Sequence, residues 1–404
     1  MTTASNEPRR AAIAFIFVTV VIDILALGII IPVLPRLVED FMGGDTPRAA
    51  AIFGAFGTVW ALMQFICSPI IGALSDHVGR RPVVLLSCLG LGLDYVFMAL
   101  APSLGWLFVG RVISGIASSS IPTAFAYIAD ITPTEKRAAS FGMVGAAFGL
   151  GFVLGPALGG VLGSVDPRLP FWVAAAMALV NAVYGFFVLP ESLPKERRAP
   201  FSWRRANPVG SLALLRSHHE LFGLASLNFL YLLAHAVLPS VFVLYAGYRY
   251  GWDAKAVGLT LALVGIGSVI VQGVLVKRFV ARLGERRSLT IGLMAGIFGM
   301  LGYGLAPNGR MFMAVVPVFA LMGLFGPSLQ ALMSHRVQPH EQGQLQGANQ
   351  SIMGITGMIG PVLFTQVFSR AIAPGARAHV PGAPFLLAAA LLFSGLLLAR
   401  RTAR

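Results

Sequence analysis

Sixteen acidic residues are spread over the 404-residue chain, and only Asp23 and Asp94 lie well inside long apolar runs. One base, Arg111, joins them there. An ionisable group in hydrocarbon costs several kcal/mol unless it is paired or wet, so each is a functional candidate by default. Asp23 stands about 12 residues from either end of its run, roughly 18 Å along a helix and near the midplane of a bilayer. A carboxyl group there can take a proton from one side and release it to the other. It can equally be a hydrogen-bonded acid that packs one helix. Asp94 and Arg111 sit on consecutive runs joined only by Pro102–Gly105, so their side chains are expected at similar depth. Two readings stand for this pair: a structural ion pair, or one that protonation or substrate binding breaks.

Further polar side chains inside apolar runs are Gln64, Asn181, Asn228, His235, Gln272, Gln330, Asn349 and Gln350. Each either lines a cavity or bonds a neighbouring helix. Gln64, His235, Gln330 and Asn349, with Asn181, form the candidate substrate-binding set. His235 is the histidine in mid-span, and free histidine titrates near neutrality. Trp60, Tyr127 and Tyr231 can stack on a planar substrate or pack between helices.

The elements that must position these groups are membrane helices. Hydrophobic residues make up 56% of the chain and charged residues 11%, with a mean hydropathy of +0.79, whereas a soluble domain carries about 25% charged residues. About 20 apolar residues span a bilayer, and twelve such spans are expected: 11–35, 50–74, 82–101, 106–128, 138–163, 170–189, 220–247, 256–279, 288–306, 311–333, 345–369 and 382–399. The fold class is therefore an all-α membrane protein of twelve helices in two six-helix halves. The halves are 1–189 and 220–404, with a polar, proline-containing cytoplasmic linker at 190–219 that carries six basic residues. The first span follows Arg9 and Arg10 without a convincing cleavage site and is expected to be retained.

The net charge of +14 reports topology rather than nucleic acid. With the N-terminus inside, cytoplasmic segments hold 21 of the 30 Lys and Arg residues and external segments eight, which places both termini in the cytoplasm. The two cysteines, Cys67 and Cys88, lie in apolar runs, so neither a disulfide nor a zinc site is expected. There is no glycine-rich phosphate loop and no segment large enough for an ATPase domain. An enzyme is not indicated, and energy for transport should come from an ion gradient.

The polar stretch Gly72-Ala-Leu-Ser-Asp76-His-Val-Gly79-Arg80-Arg81 joins the second and third spans. Ten residues cannot cross a bilayer, so it marks a hairpin at one face. Gly72 and Gly79 are expected to let helix ends approach closely, and Asp76 to sit on a helix N-terminus, where negative charge is favoured. The fifth span carries Gly145, Gly149, Gly151, Gly155, Pro156, Gly159 and Gly160. Small residues there allow backbone-to-backbone packing, and the proline weakens the local ladder. At an offset of 205 residues, Gly142, Gly149, Gly155 and Pro156 align with Gly347, Gly354, Gly360 and Pro361. Gly79-Arg80-Arg81 is echoed by Gly284-Glu285-Arg286-Arg287. A parallel repeat of this kind places substrate between the halves near the midplane.

The Gly72–Arg81 stretch resembles the loop between the second and third helices of the major facilitator superfamily, and Gly110-Arg111-Val-Ile-Ser-Gly115 resembles its helix-4 arginine motif. Gly155-Pro-Ala-Leu-Gly159-Gly160 resembles the helix-5 motif of drug/proton antiporters. Ile22-Asp23 through Pro35, Ala61 through Arg81, Leu93-Asp94-Tyr95, Ala126 through Thr132, Leu189-Pro-Glu191-Ser, Ala281 through Arg287 and Gln342 through Gly347 all look like the tetracycline/proton antiporters. The resemblance implies export of a drug complexed with a divalent cation such as Mg²⁺, in exchange for protons, by a monomer in the bacterial inner membrane with no bound cofactor. It implies that Asp23 and Asp94 are the essential intramembrane acids, that Gln64 contacts drug, and that Asp76 and Arg80 serve a gating turn. Two positions depart from the family pattern: Gly296 stands where an aspartate is expected in the ninth span, and Ser268 where a histidine is expected in the eighth. These departures favour a rival reading, an exporter of another amphipathic drug or metabolite. An uptake symporter and a non-transporting receptor are the remaining alternatives.

Overall fold

The computed structural model describes residues 7–132, 137–203, 207–208, 210–212, 214, 219–338, 341–376 and 379–402. Lys136, Arg204, Arg205, Arg216, Arg377 and Arg404, which entered the charge count, lie outside the described residues. All regular structure among the described residues is helical, as it must be where no water satisfies backbone groups and no barrel closes. Eleven helical stretches are long and apolar enough to cross a membrane. One of these, Ala254–Leu305, has 52 residues, about 78 Å of helix against a hydrocarbon core of about 30 Å. Its backbone breaks at Gly284, φ 77°. It therefore holds both the eighth and the ninth expected spans.

The chain separates into two compact units, residues 1–34 with 59–208, and 35–58 with 209–404. Segment 35–58 thus belongs with the later part of the chain. The first unit is built from α1 (Glu7–Ile30), the second half of α3 (Thr46–Val78), α4 (Arg80–Ala99), α5 (Leu104–Ala117), α6 (Ile121–Ile131), α7 (Arg137–Val165) and α8 (Leu169–Val188). Its two main contacts are α1 on α7 and α4 on α8. The α1–α7 contact is made by backbone. A Cβ on Gly155 would lie 2.7 Å from the Gly28 Cα, and one on Gly28 would lie 2.9 Å from the Gly151 carbonyl oxygen. Gly151 faces Ile24 and Gly159 faces Ile29 in the same seam. The four-residue glycine spacing puts a groove down one face of α7, and α1 lies in it. Pro156 sits inside α7 without ending the helix.

The second unit holds α2 (Leu34–Phe41), the start of α3, and α9 (His219–His235), α10 (Val237–Tyr250), α11 (Ala254–Ile270), α12 (Val276–Leu305), α13 (Gly309–Ala320), α14 (Phe325–Ser334), α15 (Gln342–Ile372) and α16 (Ala383–Thr402). A π-turn at Val271–Leu275 follows α11, and a 3-10 turn at Leu321–Leu324 joins α13 to α14. The core is aromatic: Tyr303 stacks on Phe312 at 4.2 Å between ring centres, and the buried Tyr245 hydroxyl donates to the Tyr303 carbonyl at 3.0 Å. The start of α3 joins this unit through small residues. Cβ atoms on Gly54 and Gly57 would run into Thr365 and Pro361 of α15, and the Thr58 hydroxyl donates to the Met358 carbonyl at 2.7 Å.

The repeat read from sequence is present in the backbone. Gly79 has φ 111° and Gly284 has φ 77°, and each ends one helix and starts the next. Only glycine adopts these conformations without strain. The turn is tighter than expected. The helix before it runs to Val78 and the next starts at Arg80, so the expected ten-residue link is Gly79 alone. Gly72 does not serve close approach, because nothing lies within 4 Å of an added Cβ there.

Gly155→Leu should lower the thermal unfolding midpoint in detergent, because overpacking of this kind costs about 1–3 kcal/mol. Gly145→Ala on the same helix meets nothing within 4 Å and should leave the midpoint unchanged. Equal midpoints for both variants would refute the seam.

Candidate functional site: buried acids and the cytoplasmic turn

Asp23 projects from α1 into a small polar cluster. The Asn181 amide of α8 donates to Asp23 Oδ1 at 3.2 Å and to the Thr19 carbonyl at 3.3 Å. The Cys88 thiol of α4 approaches the same carboxyl at 3.6 and 3.8 Å. Asn181, Cys88 and Thr19 are all buried, and Asn181 Oδ1 and Thr19 Oγ1 have no partner. Asn181, expected to bind substrate, is thus a holder of Asp23. Its place beside α1 was hidden in the sequence by the 158 residues between them.

The expected ion pair of Asp94 and Arg111 is not formed. Both Asp94 carboxylate oxygens are buried without a hydrogen-bond partner, and one lies against the backbone of Gly110. Arg111 instead lies over the Trp60 ring, 5.2 Å from its centre, and reaches Ser114 Oγ at 3.5 Å. A guanidinium over an indole face gains about 2 kcal/mol or more when desolvated, and this contact competes with the acid for Arg111. Gln64 of α3 donates to Ser118 Oγ at 2.8 Å in the same unit.

In the second unit three expected residues come together as a chain of amides. Asn228 of α9 donates to Asn349 of α15 at 3.1 Å, and Asn349 donates to Gln330 of α14 at 3.0 Å. His235 lies apart from this chain, its ring 6.0 Å from Tyr231 and 6.4 Å from Phe319. Tyr231 stacks on Phe325 at 4.0 Å. Gly296 of α12 is packed by Leu392 and Met322 at 3.0 and 3.1 Å from an added Cβ, and Ser268 Oγ bonds its own helix at Val264. Among the described residues no group of three or more His, Cys, Asp and Glu side chains gathers to hold a metal.

The turn after α3 is a charge cluster. Arg80 bridges Asp76 at 2.5 Å and Asp130 of α6 at 3.3 Å, and donates to Ser75 Oγ at 2.6 Å. Asp76 lies in the last turn of α3, not on a helix N-terminus as expected. Negative charge there opposes the helix dipole, and Arg80 offsets it. The N-terminus of α4 is capped by Glu191, whose Oε1 accepts the Arg80 N–H at 2.9 Å and the Ser192 and Leu193 N–H groups at 3.0 Å. Arg81 turns away and donates to the Phe186 carbonyl at 2.5 Å. The segment after Glu191 then runs along the turn, with Ala199 N–H bonding the Asp76 carbonyl at 3.0 Å. Tyr127, buried, donates its hydroxyl to the Pro190 carbonyl at 2.8 Å and does not face a substrate. Glu191 and Asp130 were visible in sequence only as parts of the family-like runs, because their partners are 111 and 50 residues away.

Long apolar helices, a repeated glycine turn and two acids inside those helices mark a polytopic membrane protein. The chain matches the model described as Major Facilitator Superfamily over residues 16–361, and it belongs to that superfamily. It is 37% identical over 358 residues to the tetracycline resistance protein, class C, of Escherichia coli, covering 89% of this chain and 90% of the relative. It is 28% identical to multidrug resistance protein 2 of Bacillus subtilis, covering 98% and 96%. The solved structure of the human organic anion transporter MFSD10 (TETRAN) matches with a TM-score of 0.71 at 24% identity, covering 98% of this chain and 100% of that one. The superfamily is one of transporters, not enzymes. Within it the chain groups with the tetracycline resistance proteins as a multi-pass membrane protein.

Loss of the Glu191 cap should weaken the turn. Glu191→Ala should lower stability by about 0.5–2 kcal/mol, the range for a lost N-cap, and speed proteolysis between residues 192 and 199. Unchanged cleavage would show that the segment is held by other contacts.

Proposed function

We propose that this chain is a proton-coupled antiporter of the bacterial plasma membrane that exports an amphipathic drug, with tetracycline as its metal complex the first candidate. One observation carries the reading: Asp23, in the second half of α1, is half-buried and held by the neutral Asn181 and Cys88 side chains, with no cation paired to it among the described residues. An acid inside an apolar span without a counter-charge is a candidate proton carrier. The names of the similar proteins support drug export as the direction. In this reading both termini are cytoplasmic, and 190–219 links the halves 1–189 and 220–404. The divalent cation travels with the drug and is not held by the protein. Gln64 and the Asn228–Asn349–Gln330 amides supply neutral hydrogen-bond groups for the substrate.

A second reading, export of a different amphipathic compound, is favoured by the packing at Gly296. Leu392 and Met322 lie 3.0 and 3.1 Å from an added Cβ, so the ninth span lacks the acid and packs apolar side chains around its place.

The test is tetracycline-dependent proton release from everted or reconstituted vesicles with Mg²⁺ and an imposed pH gradient. A flux is expected, and Asp23→Asn should abolish it, a loss of at least tenfold, while the variant still folds. Normal proton-driven export by Asp23→Asn would refute the role of the acid. Flux with another drug but not tetracycline would select the second reading.

His235 is the other candidate for proton exchange. His235→Gln should alter the pH dependence of transport if the ring takes part. A pH profile identical to that of the original chain would remove His235 from the coupling path.

A further inference from the structure

A groove of about 700 Å³ opens between α4 and α8 on the first unit. That size is within the range of sites that hold an organic ligand. Its walls are apolar and face outwards: Leu86 is 68% exposed, Phe186 62% and Val183 58%. Its mouth is polar and lies beside the Gly79 turn, where Arg81, Glu191 and Arg198 line it. A groove with a greasy body and a charged mouth at the end of a membrane helix matches the two ends of a phospholipid.

Charge selects the class of headgroup. Arg81 and Arg198 against Glu191 leave one positive charge in excess at the mouth. Oε1 of Glu191 accepts the Arg80, Ser192 and Leu193 N–H groups at 2.9–3.0 Å, and Oε2 faces Arg198. Its contact with Arg198 is long, 3.7 Å, with both side chains about a quarter exposed. Arg198 therefore has donors to give. Arg81 lies over the Phe186 ring at 5.7 Å and spends one donor on the Phe186 carbonyl. The N-terminus of α4 points its positive dipole end at the same place. Basic pockets between membrane helices at the interface bind anionic headgroups.

We propose that the α4–α8 groove is a binding site for an anionic phospholipid, its phosphate held at the mouth by Arg81 and Arg198 and one acyl chain along Leu86 and Phe186. The site rests on the membrane character of the chain and is independent of which substrate it carries. A lipid there would share Arg198 with Glu191, and so would touch the same segment that caps α4.

The full-length protein is reconstituted into nanodiscs of phosphatidylcholine with a minority of phosphatidylglycerol, and the lipid retained on release is measured by native mass spectrometry. The original chain should retain phosphatidylglycerol over phosphatidylcholine. Arg198→Gln should reduce that preference about fivefold, the ratio that ~1 kcal/mol per basic residue near an anionic surface sets. Leu86→Trp, which fills the groove from an exposed position, should abolish retention of that lipid. Leu93→Trp, at a residue 55% exposed on the same helix but outside the groove, should leave it unchanged. Equal retention of both lipids by the original chain overturns the proposal, and so does full phosphatidylglycerol retention by either Arg198→Gln or Leu86→Trp. Thermal unfolding of each variant in the same detergent separates lost binding from lost fold.

Discussion

Helix α1 can lie against α7 only because neither carries a side chain where Gly28 meets Gly151 and Gly155. In a bilayer, lipid tails are as apolar as leucine, so helices associate by close packing and by polar contacts rather than by the hydrophobic effect. The glycine seam supplies the close packing in the first unit. It fixes the axis of α1, and with it the depth and heading of Asp23. Across the other side of α1, Asn181 of α8 and Cys88 of α4 reach that carboxyl from two further helices. Three helices thus converge on one acid. A shift of α1 along the seam by one residue would turn Asp23 away by about 100° and leave it in lipid without its two holders.

The two units solve the problem of polar groups in hydrocarbon differently. The second unit joins neutral groups to one another, from Asn228 through Asn349 to Gln330, so each amide in the chain is satisfied by a neighbour. The first unit keeps formal charges. Arg111 is matched to the face of Trp60, while Asp94 lies against a glycine backbone and Met98. A neutral amide chain has one stable arrangement. A guanidinium offered both an indole and a nearby acid has two, and a group with two partners is the kind of element that a proton or a bound solute can bias. The first unit is therefore where coupling chemistry has room to act, and the second is suited to recognition by hydrogen bonds.

Much of this was legible in the sequence, and the failures share a cause. The all-helical class, the spans and the repeat follow from run length and from glycine spacing, which are local properties. The pairing of Gly79 with Gly284 survived because a positive φ constrains the residue type itself, wherever the chain goes. The seam on α7 was legible for the same reason: a four-residue spacing of glycines makes a groove on any helix. Long-range partners left no such mark. Asn181 was placed with the substrate-binding candidates because nothing in its own neighbourhood names Asp23, 158 residues away. Glu191 caps a helix that starts 111 residues earlier. The Asp94–Arg111 pair was expected from equal depth, but depth does not fix the heading of a side chain around its helix, and Trp60 on a third helix took the arginine. Asp76 was assigned to the wrong end of a helix because the turn is one residue long instead of ten.

The packing at Gly296 bears on how a chain of this family can differ from its relatives. A missing acid on α12 is not a single change that a single reversal would undo. Leu392 of α16 and Met322 of the 3-10 turn pack closely over the position, and an aspartate there would need both to give way slightly and would meet apolar neighbours. The second unit has closed over that position with hydrocarbon. In the proposed function, proton movement then falls on the acids that remain inside spans, Asp23 on α1 and Asp94 on α4. Both belong to the unit that also holds Arg80, Asp76, Asp130 and Glu191 around the Gly79 turn. Charge along α4 runs from that capped terminus, past Cys88 beside Asp23, to Asp94 beside α5. Helix α4 is the element common to all three groups, so a change in protonation at either acid acts on the helix whose end Glu191 and the Gly79 turn hold in place.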